Sequence, residues 1–385
     1  MIQCPLQQVQ WAEAGQSHSA RWQSGAGVPA PVRVAVADDT MSADAAFRLA
    51  SEGTAILWRG DYHNARQLLQ ALGRRLDRPG RRRSKPPPAG SLSEAFHRHR
   101  MAQAQRARIL GMLLLEFGAD YTLALRRAPD VRHAVAEAWG PGNGEPCVAS
   151  LRELLGAIGA HEWRRKGVEV PALLGRIHPH YGVFAPVRGE YVDLVVQAPL
   201  PETLSHDSLA FDIGTGTGVL AAVLARRGVQ RVVATDQSVQ ALDCARDNLQ
   251  RLGLGARVQV LQADLFPAGR APLIVCNPPW LPGRASSALE HAVYDPDSRM
   301  LRGFLGGLAA HLSPGGEGWL LLSDLAEHLG LRRREDLLGA IQTAGLQVAG
   351  RLDARPVHPR ASDAGDPLHA ARAAEITSLW RLRAA

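Results

Sequence analysis

Residues 209–218 read Leu-Ala-Phe-Asp-Ile-Gly-Thr-Gly-Thr-Gly, and this stretch decides the fold. The first five residues, Leu209–Ile213, predict a buried strand. Three glycines then follow at alternate positions, Gly214, Gly216 and Gly218. Glycine is favoured here because the turn is tight and a ligand must come close to the backbone. A strand, a glycine turn and a helix in this order are typical of a doubly wound α/β sheet.

The sequence after this stretch keeps alternating between strand and helix patterns. Strands are predicted at 209–213, 231–235, 257–261, 273–276, 318–322, 346–352 and 375–383, and helices at 218–227, 239–252 and 300–312. The fold class predicted is therefore α/β, with a seven-stranded, doubly wound, Rossmann-like sheet whose last strand is antiparallel. An N-terminal, mostly helical domain precedes this sheet.

The N-terminal part of the chain carries a different pattern. Residues 1–40 lack clear periodicity and are expected to be loosely structured. Residues 41–170 are predicted to form a mostly helical substrate-docking domain, and residues 171–200 to connect it to a domain at 201–385. Helices are predicted from Asp61, with an apolar face of Ala65, Leu68, Leu69, Leu72 and Leu76, and over 92–117, 131–139 and 148–165.

A basic, proline-rich stretch interrupts the predicted helical domain. The chain has 385 residues and a formal charge of +7, but residues 74–108 alone hold eleven Arg and Lys residues against two acids. Within it, the loop 74–90 has the composition of a linker. Such a stretch either attracts nucleic acid or a ribosome-bound partner, or is a solvated loop, and the sequence leaves both readings open.

Composition argues against several classes of protein. Apolar content of 46% with 21% charged residues is typical of a globular chain. Apolar runs stay well short of the roughly 18 residues that cross a bilayer, and the first residues resemble no export signal, so a cytoplasmic location is expected. The four cysteines lie far apart, which favours reduced thiols over a disulfide framework or a zinc site, and no metal is expected.

Three aspartates lie at or just after the ends of strands at one edge of the predicted sheet, where such sheets bind their ligands. Asp236 is placed to accept from two ribose hydroxyls, and Asp264, beside Leu265, to accept from an adenine amino group. Asp212 is placed to bind an amino-acid ammonium group directly or to orient the glycine loop. Taken alone, the glycine motif would also fit a nicotinamide-dinucleotide site, because Asp236 follows Gly216 by twenty residues.

The tetrad Asn277-Pro278-Pro279-Trp280 follows the strand predicted at 273–276 and argues against a nicotinamide-dinucleotide site. The nitrogen of an amide or of a base's exocyclic amine is a poor nucleophile because its lone pair is delocalised. The Asn277 side-chain carbonyl and the Pro278 backbone carbonyl can each accept one N–H bond and aim the lone pair at a sulfonium methyl. The prolines stiffen the loop, and Trp280 offers a flat face for stacking. These roles predict an N-methyltransferase that uses S-adenosyl-L-methionine, whereas a dehydrogenase has no use for the tetrad.

These motifs resemble those of HemK-like methyltransferases, which methylate glutamine side chains of release factors, and of small-domain relatives acting on ribosomal RNA. The resemblance covers about 184–330 and the terminal strands, with Asp212–Gly218, Asp264–Phe266 and Asn277–Trp280 as its core. The candidate cofactor-binding residues are Asp212, Gly214, Gly216, Gly218, Asp236, Asp264, Leu265 and Asn277. The candidate catalytic residues are Asn277, Pro278 and Trp280, and the candidate substrate-binding residues are Pro279, Trp280 and Arg188.

Two flanking segments, 184–195 and 294–306, resemble the glutamine branch in particular. The sequence departs from that branch at Trp280, where the branch has tyrosine, and at Tyr191-Val192, where it has threonine-glutamate. The leading hypothesis is a protein-glutamine methyltransferase acting on a release-factor-like protein. The main rival is an RNA methyltransferase acting on an exocyclic amine of adenine or guanine, and a third hypothesis is a non-catalytic RNA- or ribosome-binding module.

The connection before the last strand, 353–374, is far longer than a hairpin turn requires. Connections of this length are usually functional or disordered. One hypothesis is that this connection covers the acceptor pocket and excludes water from it. The alternative is a plain surface excursion.

Overall fold

The computed structural model describes residues 7–25, 27–77, 91–204, 209–285, 289–357 and 366–385. The chain forms two compact units, residues 1–89 with 97–162 and residues 90–96 with 163–385. The second unit includes the segment 171–200, which the sequence pattern suggested to be a connector. Parts of this segment pack into that unit's core, so it is not a linker. Most of the predicted basic loop 74–90 lies outside the described residues.

The first unit contains a six-stranded sheet, with strand order β1-β2-β6-β5-β4-β3. Its strands are β1 (Gln8–Glu13), β2 (Gln16–Trp22), β3 (Arg33–Ala37), β4 (Thr54–Trp58), β5 (Leu113–Phe117) and β6 (Cys147–Ser150). The helices in this part of the chain are α1 (Ala43–Ser51), α2 (Tyr62–Asp77), α3 (Leu92–Leu110), α4 (Arg132–Trp139) and α5 (Leu151–Lys166). The α2 helix buries the predicted apolar face at Ala65, Leu68, Leu69 and Leu72.

The structure corrects two expectations for the first unit. Residues 1–40 are not loosely structured, because β1, β2 and β3 lie there; Ala14 and Gly15 make the tight turn between β1 and β2 with φ of 51° and 77°. The helices predicted over 92–117 and 148–165 are too long, because β5 and β6 occupy one end of each. Short apolar runs fit a buried strand and a buried helix equally well, so periodicity could not separate them.

The second unit contains the predicted seven-stranded sheet, with order β11-β10-β9-β12-β13-β15-β14. Its strands are β9 (Leu209–Ile213), β10 (Arg231–Asp236), β11 (Val258–Gln262), β12 (Ala271–Cys276), β13 (Leu312–Ser323), β14 (Leu346–Ala354) and β15 (Thr377–Ala384). A short hairpin, β7 (Val168–Val170) with β8 (Gly175–Ile177), precedes them. The helices are α6 (Glu190–Gln197), α7 (Val219–Arg226), α8 (Val239–Arg251), α9 (Arg299–His311), α10 (Leu325–His328), α11 (Arg334–Thr343) and α12 (His369–Ala374).

The α/β prediction for this unit is confirmed, including the antiparallel last strand, β15, between β13 and β14. Both faces of the sheet are covered. In β9, Ala210 belongs to one apolar cluster, while Phe211 and Ile213 belong to another. Such burial on both faces explains the nearly continuous apolar character of the strand. The carboxyl ends of the parallel strands β9 to β13 therefore open on one edge.

The connection between β14 and β15 is partly helical in its described residues. It contains α12, and Leu368 and Ala371 are buried in an apolar cluster with Leu281 and Leu325. Part of it, 358–365, lies outside the described residues. Among the helices of the described residues, none combines the length and the apolar character that a membrane span needs.

Candidate active site

The glycine loop lies between β9 and α7 in a backbone conformation that favours glycine. Gly214, Gly216 and Gly218 have φ values of 71°, 56° and 82°. A Cβ on Gly218 would stand 3.2 Å from the Ala245 Cα, so glycine at this position allows α8 to pack closely on the loop. Apart from Gly216 and its two chain neighbours, no described residue has a heavy atom within 4 Å of the place where a Gly216 Cβ would stand, so space remains beside the loop for a ligand.

Asp212 lies at the end of β9, is only 1% exposed, and organises this loop. Its Oδ2 accepts hydrogen bonds from the Thr215 hydroxyl at 2.6 Å and from the Ala221 backbone N–H at 3.0 Å. Burial raises the pKa of the Asp212 carboxyl to about 6, although these hydrogen bonds act in the opposite direction. Of the two roles predicted for Asp212, its contacts correspond to orientation of the loop.

Asp236, the last residue of β10, also contacts the glycine loop. Its Oδ2 accepts from the Gly216 N–H at 3.1 Å and its Oδ1 from the Ser238 N–H at 2.9 Å. Each carboxylate oxygen has a further lone pair, so a pair of hydroxyls can still be accepted. The ends of β9 and β10 are thereby held together.

Asp264 and Leu265 follow β11 at the same edge. Asp264 accepts from the Gln237 side-chain amide, and from the Arg299 guanidinium at 3.1 Å. The Leu265 carbonyl accepts from the Thr235 hydroxyl at 2.6 Å, and Leu265 has a left-handed backbone with φ of 72°. These contacts place Asp264 beside the end of β10, on the side of Asp236 away from β9.

The tetrad follows β12, and its two polar side chains bond to each other. The Trp280 indole Nε1–H donates to the Asn277 Oδ1 at 2.9 Å. Pro278 is buried, while Asn277, Pro279 and Trp280 are half-buried. An amide oxygen has two lone pairs, so the Asn277 oxygen retains one for an incoming N–H.

The side chain of Arg188, a predicted substrate-binding residue, is bound by other residues of the same unit. Its guanidinium lies 4.8 Å from the centroid of the Trp280 ring. It donates to Glu190 at 2.5 Å, to Glu375 at 3.0 Å and to the Thr377 hydroxyl at 3.3 Å. The guanidinium therefore occupies one face of the Trp280 indole, the ring that was predicted to stack against the acceptor.

Several residues of this edge were missed by sequence reasoning. Glu190 and Glu375 are 5% and 3% exposed, and Ser323 donates its hydroxyl to Glu375 at 2.6 Å. Asp295 caps α9 by accepting from the Met300 N–H at 3.0 Å. Asp295 lies in the segment 294–306 that the sequence singled out, whereas Glu375, directly after α12, carries no local signal.

Comparison with known proteins agrees with this architecture. Residues 175–334 match the family described as methyltransferase small domain. Over 182 residues the chain is 34% identical to a release factor glutamine methyltransferase of Cereibacter sphaeroides, with 41% of this chain and 63% of the relative covered. Over 169 residues it is 34% identical to the release factor glutamine methyltransferase of Moorella thermoacetica, with 38% and 60% covered.

A shorter match involves a different acceptor. The chain is 46% identical over 69 residues to a ribosomal protein L11 methyltransferase of Pelotomaculum thermopropionicum, with 17% of this chain and 22% of the relative covered. The chain thus spans less than two thirds of the length of the relatives it matches. The second unit thus combines a seven-stranded α/β sheet with a match to the methyltransferase small domain family over residues 175–334.

Proposed function

We propose that the chain is an S-adenosyl-L-methionine-dependent N-methyltransferase that acts on the side-chain amide of a glutamine in a release-factor-like translation protein. One observation carries this proposal. Cys276 of β12 pairs in parallel register with Ile213 of β9. The next residues along each strand, Asn277 and Gly214, therefore leave the sheet side by side, with an acceptor-binding amide next to a cofactor loop.

The residues at the edge suit the parts of the cofactor. The glycine loop and Asp212 would hold the amino-acid end, Asp236 the ribose hydroxyls, and Asp264 with Leu265 the adenine. When bound, the cofactor supplies a methyl group on a positively charged sulfur, and the sulfur keeps the electron pair of the bond that breaks. The buried carboxyl of Asp212, with its pKa of about 6, is mostly ionised at neutral pH and suits a cationic ligand.

The tetrad would position the nitrogen that receives the methyl group. Asn277 Oδ1 accepts one N–H through its free lone pair, and the Pro278 carbonyl accepts the other. These two acceptors hold the nitrogen in line with the methyl group and stabilise the positive charge that develops on it. The proton then leaves to water, so no strong base is needed.

The glutamine acceptor is supported by the names of two relatives and by the segments 184–195 and 294–306. The RNA alternative rested on two features, the Trp280 face and the basic stretch 74–108. Arg188 occupies one Trp280 face, so a base cannot stack on that face. The observations therefore favour a protein acceptor.

A transfer assay tests the proposal. The enzyme is incubated with methyl-labelled S-adenosyl-L-methionine and a cell extract from which protein and RNA are then separated, and the protein is digested and searched for N-methylglutamine by mass spectrometry. We expect label in the protein fraction, in a release-factor-like peptide, and initial labelling slower by about a hundredfold or more with Asn277→Ala. Label confined to the RNA fraction would show that the acceptor is RNA and not a protein. The absence of label from both fractions would contradict the methyltransferase activity.

A further inference from the structure

We infer that Glu375 and Arg188 form a clamp that positions Trp280, and that Trp280 in turn fixes the orientation of the Asn277 amide. Glu375 is thus a positioning residue of the tetrad, although it lies 98 positions after Asn277 in the sequence. This inference rests on the proposed function for its catalytic consequence, but its geometry can be tested separately.

Arg188 is held at all three guanidinium nitrogens. Nε donates to Glu190, NH1 to Glu375 and NH2 to the Thr377 hydroxyl, at 2.5, 3.0 and 3.3 Å. Three anchors on different nitrogens define both the position and the plane of the group. The Arg188 guanidinium therefore presents a fixed surface to the Trp280 ring.

Loss of Arg188 from this position would be energetically costly. The side chains of Glu190 and Glu375 are 4% and 3% exposed, so the departure of Arg188 would leave two nearly buried negative charges without their cation. Glu375 is itself fixed, because Ser323 donates its hydroxyl to the same oxygen that Arg188 contacts, at 2.6 Å. The register pair of Ser323 with Thr377 ties these groups to neighbouring strands, β13 and β15.

The guanidinium lies 4.8 Å from the centre of the Trp280 ring, at a distance where a cation attracts an indole face. A ring held in this plane points its N–H at the Asn277 Oδ1, 2.9 Å away. If the Asn277 amide flipped, its NH2 group would face the indole N–H, and two donors would oppose each other. The clamp therefore selects the amide orientation whose oxygen receives the indole.

That orientation matters because the same oxygen is the proposed acceptor for the substrate N–H. Disturbing the clamp should lower turnover, since the amide oxygen would spend less time in the reactive position. It should not weaken cofactor binding, because the contacts of the clamp do not include the glycine loop, Asp236 or Asp264. A loss in kcat without a loss in cofactor affinity distinguishes positioning from general damage.

A double-mutant cycle tests this route. Glu375→Gln keeps the size of the side chain and its contact with Ser323 but removes the charge that holds Arg188; Trp280→Phe keeps an aromatic ring but removes the indole N–H. We expect each single variant to lower kcat by about tenfold, with binding of S-adenosylhomocysteine changed less than about twofold. Because both act through one hydrogen bond, Glu375→Gln should change kcat by less than about twofold in the Trp280→Phe background.

The matched control is Glu317→Gln. Glu317 is a fully buried glutamate of β13 that is bound to Arg381 and Arg383 of β15 and pairs with Leu273 of β12. Glu317→Gln should lower the melting temperature, because it weakens a buried ion pair, but should leave kcat within about twofold of wild type. A full tenfold effect of Glu375→Gln in both backgrounds, or an equal loss of kcat in Glu317→Gln, would overturn the inference.

A spectroscopic measurement decides the geometry without any turnover. The indole N–H signal of Trp280 is assigned by its disappearance in Trp280→Phe. In Glu375→Gln this signal should shift and exchange faster with water, while the signal of Trp319, which donates to Glu317, stays in place. An unchanged Trp280 signal would refute the clamp even in an active enzyme, and a shifted signal would support it even if the acceptor proposed above proved wrong.

Discussion

Cys276 and Ile213 pair in parallel register on adjacent strands, and this relationship joins the two halves of the site. The loop after Ile213 holds the glycines, and the loop after Cys276 holds the tetrad. A one-residue change of register would turn each side chain of the strand to the opposite face of the sheet. The spacing of cofactor and acceptor groups is therefore fixed by strand pairing and not by loop flexibility.

Asp236→Ala should weaken cofactor binding. It removes the carboxylate that receives the Gly216 N–H and would receive the ribose hydroxyls. Calorimetry with S-adenosylhomocysteine should show affinity lowered by at least about tenfold, as for the loss of a charge-assisted bond pair. Asp243→Ala, which removes an exposed aspartate of α8, is the control and should leave affinity unchanged. If both variants bind S-adenosylhomocysteine equally well, Asp236 does not contribute to the cofactor site.

Cofactor affinity should rise with pH between 5 and 7. The pKa of Asp212 lies at about 6 in the folded protein, well above its ordinary value of 3.8, because burial disfavours the charge. A cationic cofactor favours the ionised form, so binding at pH 5 must release a proton and is weaker. Titration calorimetry should show affinity at pH 5 lower than at pH 7 by about five- to tenfold. Asp212→Asn should flatten this profile, and an identical slope in the variant would assign the effect to another group.

Two glycines of α9 provide a matched pair. A Cβ on Gly303 would stand 2.5 Å from the Leu265 Cδ1, whereas nothing described lies within 4 Å of one on Gly306. Gly303→Ala should displace Leu265 and weaken S-adenosylhomocysteine binding by about three- to tenfold, or roughly 1 kcal/mol. Gly306→Ala should leave binding unchanged and stabilise the helix by up to about 1 kcal/mol. Equal binding by both variants would show that Leu265 does not line the cofactor site.

The second unit was predictable because its signals are local. Apolar runs between glycine turns gave all seven strands to within a few residues at most ends, and β9 from Leu209 to Ile213 without error. The glycine, aspartate and tetrad motifs each follow a strand that runs in the same direction. Since parallel strands end at one edge, the sequence alone predicted that Gly214, Asp236, Asp264 and Asn277 meet there.

Long-range partners were not predictable in the same way. Arg188 and Glu375 lie 187 positions apart, and each looks like an ordinary charged residue near a turn. Their pairing depends on where α6 begins relative to β15, which no local pattern encodes. The sheet of the first unit was missed for a related reason, because β5 and β6 are too short for periodicity to identify.

The role hypothesised for the connection 353–374 cannot be tested cleanly by shortening it. Replacing it by a short linker would remove Leu368 and Ala371 from a buried cluster and so confound stability with catalysis. Its role over the acceptor pocket stays a prediction.

The most direct test of the account is the turnover of Asn277→Ala measured beside its affinity for S-adenosylhomocysteine. Loss of the amide oxygen should lower kcat by about 10²–10³, which corresponds to roughly 3–4 kcal/mol of transition-state stabilisation. Affinity should stay within a few fold of wild type, because Asp236, Asp264 and the glycine loop are intact. A variant that retains half of the wild-type turnover would contradict the central claim that Asn277 holds the methyl-accepting nitrogen.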